Sequence, residues 1–399
     1  MLNKNLITYI PLLLLAAISD SVYAAPHQHN LCATEDISTA IKSTIASIQK
    51  DYDLPSFSLA LGLNNDLLFA DAIGYANIQK KIPATPTTRY SVGSVAKPMT
   101  GIALATLLDD DVMQLDAPIA SYLPNYPEHA HAVTFKQLAS HTSGIGRPWD
   151  IRQTLEFDKP RDFSTPMDVL PFFKDEPLWF SPGSDFQYTS MGYVLLSAAM
   201  EAAAKQPYME IMQASWTQLG MHNTALDDSI HSNEKEATYY TKKDDKGHFV
   251  PAITPRDRSF LFGGGGFIST PSDLIKLTRA LSTDTLLSKN AVKQVTTPVT
   301  LNNGEVNKQF YGLGWRIQTS KTFSINGKPV NIVHHGGVMG GASTAFVLLM
   351  PDYDASVAYA TNHVPENHGK MRSEVGKLLA RIVEKQHKSC TDITANAKL

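Results

Sequence analysis

The chain has 399 residues, of which 43% are apolar and 18% charged, and its formal net charge is −3. That length and apolar content suit a large folded core, in one unit or two subdomains. The charge balance excludes a protein that binds nucleic acid mainly by neutralising phosphates, and no long basic patch or base-stacking aromatic motif is present.

The first residues read as a targeting segment. Lys4 precedes a mostly apolar run from Leu6 to Ile18, and Val22-Tyr23-Ala24 is a small-x-small cleavage pattern, so removal after Ala24 (residues 1–24) is expected. Pro11 and the shortness of the run argue against a spanning helix. His29-Asn30-Leu31 before Cys32 lacks the small residues of a lipidation signal. His27 and His29 have no thiol or carboxylate at a closed metal spacing and read as an unstructured terminus. Cys32 and Cys390 are the only cysteines. Export permits a disulfide between them, and two separate thiols are the alternative.

Thr34 can cap a helix running to about Gln49, with Ile37, Ile41, Ile45 and Ile48 on one face. Pro55–Leu63 and Leu67–Ile73 flank the turn Asn64-Asn65-Asp66 and read as a hairpin. After a polar, turn-rich stretch comes Tyr90–Thr100, around which the chain is organised. Ser94 stands three residues before Lys97. Pro98 is tolerated only in a first helical turn, and Gly101–Leu108 is almost free of polar residues. A helix starting near Ser94 and buried on most sides therefore puts Ser94 and Lys97 on one face. Burial disfavours a charged lysine, so such a lysine can serve as a base, and N–H groups at the helix start can face developing negative charge.

Asp109–Asp111 reads as a solvated helix end, and Thr134–Leu138 opens a short helix stopped by His141-Thr142-Ser143-Gly144. His141 has no partner spacing for a catalytic base, so packing or loop hydrogen bonding is expected of it. Phe180–Gly183 turns into Phe186–Ser190 ahead of a helix over Gly192–Ala204. Tyr188 in that loop can pass a proton if it meets the serine–lysine pair. Tyr239–Asp257 is a hairpin or lid. Gly263–Gly266 lacks the Gly-Lys-Ser/Thr of a phosphate loop and reads as close backbone approach. Pro271 opens a helix that ends near Leu281. Strands are expected over Tyr311–Ile317, Asn331–His335, Ser343–Met350 and Ser356–Thr361, with turns at Gly336–Gly341 and Pro351–Asp354. An amphipathic helix over Lys370–Gln386 follows. This order predicts a discontinuous α+β domain (30–98 and 260–389) with a mainly helical insertion (99–259), in a single catalytic module.

The chain resembles the serine β-lactamase and penicillin-binding superfamily over roughly residues 50 to 365. Within it, the similarity is to class C β-lactamases, D-Ala-D-Ala carboxypeptidases and LACTB-like serine hydrolases. The landmarks are Gly93-Ser94-Val95-Ala96-Lys97, Leu138–Gly144, Pro182-Gly183, Tyr188-Thr189-Ser190, Leu219-Gly220-Met221, Gly265–Thr270, Tyr311–Trp315 and His334-His335-Gly336-Gly337. The resemblance implies an antiparallel sheet flanked by helices. It implies that Ser94 is the nucleophile, Lys97 its partner and Tyr188 a proton-transfer group, with an oxyanion hole from the backbone of Ser94 and Gly337. Ser190, His334, His335 and Gly336 fall at substrate-binding positions. Ser190 stands where the family has asparagine, a shorter hydroxyl in place of an amide. His334 stands where many members have lysine, which predicts a pH-sensitive contact to a substrate carboxylate. The two terminal helices of the resembled fold pack on the same sheet, which implies the Cys32–Cys390 disulfide.

The activity implied is that of an exported acyl-serine hydrolase, periplasmic or secreted. A D-Ala-D-Ala-type carboxypeptidase or related peptidase leads. A carboxylesterase, a class C-like β-lactamase and a non-enzymatic peptidoglycan-binding protein are the alternatives. The partner is a small peptide or ester, peptidoglycan-derived substrates included. No metal, organic cofactor, nucleic acid or stable transmembrane partner is implied.

Overall fold

The computed structural model describes residues 34–147, 163–227, 235–252, 258–283, 285–340 and 343–396. The isoleucine stripe forms α1 (Thr34–Asp51), and the hairpin follows as β1 (Ser56–Leu63) and β2 (Asp66–Asn77), with the short β3 (Ile82–Pro83) at its edge. β4 (Tyr90–Ser91) leads through a 3-10 turn, Gly93–Val95, into α2 (Ala96–Asp109). Every α2 residue from Ala96 to Ala105 is buried, as its nearly unbroken apolar sequence requires. Pro98 sits in its first turn, where no intrahelical N–H is lost.

The helical region continues with α3 (Phe135–Ala139), α4 (Ser190–Ala204) and α5 (Tyr208–Leu219). A capping box, Thr134 with Gln137, starts α3. β5 (Ala225–Leu226), the hairpin β6 (Tyr240–Lys243) and β7 (Phe249–Pro251), and β8 (Phe267–Ser269) lead to α6 (Pro271–Ser282) and α7 (Lys289–Val295). The chain then returns to the main sheet with β9 (Arg316–Ile325), β10 (Lys328–Met339), β11 (Ser343–Met350) and β12 (Ala355–Thr361), and ends on α8 (His368–Asn396).

The seven-stranded sheet has the order β3-β2-β1-β12-β11-β10-β9 and is antiparallel throughout. β11 and β12 are buried along their whole length, so their apolar runs do not alternate: both faces are covered. One face packs on Ile37, Ile41, Ile45 and Ile48 of α1 and on Met371, Val375, Leu378 and Leu379 of α8. Burying one such isoleucine contributes on the order of 2 kcal/mol. The other face belongs to the core that holds α2, α4, α5 and α6. Among the described residues, no helix is long and apolar enough to cross a membrane.

Two sequence expectations change here. The glycines at 336 and 337 do not form a turn but lie inside β10, which pairs with β11 as far as Met339↔Ser343. Tyr311–Trp315 precedes a strand rather than forming one, and β9 runs on to Ile325. The β9–β10 turn is Asn326-Gly327, both at positive φ, the residue pair that a tight hairpin favours.

Candidate active site

Ser94 lies on the 3-10 turn that feeds directly into α2, and it is partly exposed between two stretches of backbone. Gly93 has φ +51, a conformation suited to glycine, and a Cβ there would stand 2.9 Å from the Val338 carbonyl oxygen. Gly337 is closer still. A Cβ on it would fall 1.9 Å from the Val92 carbonyl oxygen and 3.1 Å from the Ser94 nitrogen. The serine turn thus rests on β10, and only glycine at 337 permits it. β10 pairs with β9 only as far as His334↔Arg316, so beyond that point its edge on this side is left to the Ser94 turn.

Lys97 is fully buried one helical turn after Ser94. Its Nζ lies 3.3 Å from Ser94 Oγ, 3.2 Å from Ser190 Oγ and 2.5 Å from the Gly264 carbonyl oxygen. Gly264 brings that oxygen in because it abuts Ser190: a Cβ there would meet the Ser190 carbonyl oxygen at 2.7 Å. The glycine run therefore does serve close backbone approach. No carboxylate pairs with Lys97 among the described residues. Burial, then the positive charge of Arg316, holds its pKa well below the ordinary lysine value. A neutral amine has two N–H donors and one lone pair. The Gly264 oxygen can only accept, and Ser190 Oγ can itself donate to that oxygen at 3.4 Å, leaving Ser190 able to accept the second N–H. The lone pair then remains for the Ser94 hydroxyl.

Tyr188 borders the same pair, its ring centroid 4.8 Å from Lys97 Nζ. Burial pushes its phenol up to about 12, opposed by the Ser94 hydroxyl and by Arg316 and Arg372. Ser94 is thus close enough to favour the phenolate, although no hydrogen bond of ordinary geometry links Tyr188 Oη to a described residue. His141 holds the tyrosine loop. Its ring stacks on Tyr188 at 4.2 Å, its carbonyl accepts from the Gln187 N–H at 2.9 Å, and Nδ1 accepts from the Thr189 N–H at 3.3 Å. Burial, Lys97 and Arg316 keep it neutral. It is a packing residue, as expected, and positions Tyr188.

The third motif divides between two faces of β10. His335 does not line the cleft, contrary to the sequence expectation. It is fully buried, with Nε2 at 2.9 Å from Tyr311 Oη and 3.1 Å from Arg316 Nη1. Arginine can only donate, so Nε2 accepts, and Nδ1–H donates to the Gly336 carbonyl at 2.9 Å. His334 does line the cleft, but it is not the expected titrating cation. Burial first, then Arg316 and Arg372, lowers its pKa to about 3. Its Nε2 lies 2.6 Å from Gln318 Nε2, which donates to it, so the proton sits on Nδ1. That Nδ1 is buried and has no described partner.

The cations of the cleft are two residues that sequence reasoning missed. Arg316 opens β9. It donates twice to Gln309 Oε1, at 3.2 and 2.7 Å, and its guanidinium stands 5.4 Å from the Tyr188 ring centroid. Arg372 comes from α8 and lies on Gly336, where a Cβ would stand 2.4 Å from Arg372 Cζ. Neither arginine has an ion pair among the described residues. Together with Ser94, Tyr188, His334 and Gly336 they line a cleft of about 540 Å³. A second cavity of about 70 Å³, lined by Ser190, Met191, Gly264 and Met339, lies on the other side of Ser94. Among the described residues no group of three or more His, Cys, Asp or Glu is placed to hold a metal ion. Cys32 lies outside the described residues, and of Cys390 only the α8 backbone is described.

A family model described as "Beta-lactamase" matches residues 41–380. The mouse serine beta-lactamase-like protein LACTB, mitochondrial, is 24% identical, with 86% of this chain and 78% of that protein covered. The octameric penicillin-binding protein homologue from Pyrococcus abyssi superposes with a TM-score of 0.69 at 25% identity, over 87% of this chain and 77% of that one. The D-alanine carboxypeptidase AmpC from Burkholderia cenocepacia shares the fold, with a TM-score of 0.66 at 17% identity, over 88% of this chain and all (100%) of that one. With a family match that spans most of the chain and a serine, a lysine and a tyrosine converging beside β10, this chain belongs to the beta-lactamase family and is a serine hydrolase.

Proposed function

We propose that the chain is an exported acyl-serine hydrolase of carboxylate-bearing peptides of the D-Ala-D-Ala type. The observation that carries the substrate class is the pair Arg316 and Arg372, both without an ion pair among the described residues. In the same cleft, the His334 Nδ1–H and the Nε–H of Arg372 itself have no described partner. Buried donors on a cationic wall call for an anionic acceptor, and a planar carboxylate matches guanidinium geometry. The cation that many family members supply from the third motif comes here from β9 and α8. The D-alanine carboxypeptidase with the same fold is consistent with that reading.

In this scheme Lys97 takes the Ser94 proton, and Ser94 Oγ forms a bond to the scissile carbonyl carbon. The backbone N–H groups of Ser94 and Gly337 hold the oxyanion. The carbon–nitrogen bond then breaks, and Lys97 and Tyr188 deliver the proton to the leaving nitrogen. Water adds to the acyl-Ser94 carbonyl as Lys97 takes one of its protons; the ester bond then breaks, and Lys97 returns that proton to Ser94 Oγ as the acid leaves, which restores the serine. A carboxylesterase is the second reading, favoured by Ser190: its single hydroxyl, already engaged with Lys97, offers a substrate amide less than asparagine does.

The test is kcat/KM for an acyl-D-Ala-D-Ala peptide and for a neutral short-chain ester, with mass spectrometry of Ser94 after a penicillin-like probe. Ser94→Ala abolishes the adduct and both turnovers. Tyr188→Phe slows acylation by about 10² or more with little change in binding. Arg316→Gln and Arg372→Gln lower peptide turnover selectively. Equal losses for peptide and ester would shift the assignment to the esterase.

A further inference from the structure

The cleft does not stop at the arginines. It continues along β9 past Gln318 and Ser320 to Thr322, a run of about 20 Å at roughly 3.3 Å per residue. Here its floor becomes apolar, made by Ile332, Phe346 and Phe323. The far wall is the first turn of α8. Gly369 keeps that wall open, because a Cβ there would meet nothing within 4 Å, whereas a Cβ on Gly376 would stand 2.6 Å from the Phe323 ring. The face of α8 at Gly369 thus leaves room for a ligand in this trough, and about two turns further on the helix closes against Phe323.

We propose that this trough seats a bulky apolar side chain carried by the same substrate residue whose carboxylate meets Arg316 and Arg372. This rests on the carboxylate reading above and sharpens it. A carboxylate held by the guanidiniums has Ser94 on one side and the trough on the other, because β10 runs from the Ser94 turn at Gly337 to His334, opposite Arg316, and on to Ile332, opposite Gln318. The scissile bond must lie toward Ser94, so the residue bearing the carboxylate is the leaving residue, and its side chain is directed along β9. An alanine methyl would reach little of the trough beyond the arginines. A benzyl or isobutyl group would fill it over the side chains of Ile332, Phe346 and Phe323, and the polar rim of Ser320 and Thr322 would bound it. The preferred leaving residue is accordingly a large apolar one rather than alanine.

Calorimetric binding of three probes to the full chain tests this: N-acetyl-D-phenylalanine, N-acetyl-D-alanine and N-acetyl-D-phenylalaninamide. The phenylalanine acid is expected to bind at least about tenfold more tightly than the alanine acid, as burial of most of an aromatic side chain implies. Ser320→Trp, which places an indole at the trough, is expected to erase that difference. Equal affinities of the two acids in the wild type overturn the proposal without use of any variant. Equal affinities of the phenylalanine acid and its amide overturn the carboxylate reading instead, and with it the assignment of the trough to the leaving residue.

Discussion

Gly337→Ala tests whether the contact between β10 and the nucleophile turn is what organises the site. The added Cβ would lie 1.9 Å from the Val92 carbonyl oxygen, where real contacts stay above 3.0 Å, so turn and strand must part by about 1.1 Å. The Val92 oxygen is backbone and the Cβ position is fixed by the backbone at 337, so no side-chain rotation relieves the clash. β10 is held by β11 on its other edge, and the turn is held by α2, which is buried along nearly all its length. The relief therefore falls on the distance between Ser94 and the third motif. Overpacking of this kind costs about 1–3 kcal/mol of stability. A displacement near 1 Å at a reacting centre costs about 10² in rate, and a disturbed oxyanion donor costs a similar amount. The expected outcome is a fall of at least about 100-fold in kcat/KM and in probe acylation at Ser94, in a protein that still unfolds cooperatively. Gly304→Ala is the control. Gly304 also has positive φ, +84, but no atom lies within 4 Å of its Cβ position, so it should cost stability by about 1 kcal/mol and leave activity intact. A Gly337→Ala enzyme within threefold of wild type would refute the reasoning.

Lys97→Met should abolish the acyl adduct and change the pH dependence of stability. The Lys97 pKa is lowered well below its unfolded value of about 10.4, so between the two values unfolding takes up a proton and wild-type stability rises with pH. Methionine lacks that gain; its advantage over lysine, about 1.4 kcal/mol for each unit separating the pH from the unfolded pKa, should shrink from pH 7 to pH 10 in denaturant titrations. Parallel curves would show that the buried lysine is charged. His334→Asn should leave the wild-type-to-variant ratio of kcat/KM constant between about pH 5.5 and 8, since His334, with a pKa of about 3, is neutral across that range. An inflection near 6.5 that vanishes in the variant would mean that it titrates in the cleft. We also propose that Cys32 and Cys390 pair in the exported protein, since α1 and α8 pack on one face of the sheet. Non-reducing peptide mapping should give one linked peptide, and separate alkylation of both thiols would count against the pairing. Removing such a bridge costs about 2–5 kcal/mol in small exported domains.

Much of the fold was legible because it depends on neighbours in sequence. The Ile37–Ile48 stripe, the Asn64–Asp66 turn, Pro98 and Pro271 in first turns, and the apolar runs of β11 and β12 each carry their own local signal. Ser94 and Lys97 were legible for the same reason: three residues at a helix start fix their separation whatever surrounds them. Asn326-Gly327 is an equally local signal, the residue pair that a tight hairpin favours. What sequence could not supply depends on elements brought together from far apart. Gly336 and Gly337 resembled a turn because glycine usually marks one. Their actual reason is the approach of Arg372 from α8 and of Val92 from the nucleophile turn. His334 looked like a titrating cation because an isolated histidine is one. Only the fold buries its ring and brings up Arg316 and Arg372, so that its pKa falls and the positive charge passes to residues with no motif of their own. Residue spacing along the chain determines local geometry, whereas a pKa and a cleft's charge depend on distance and solvent exclusion, which are properties of the packed molecule.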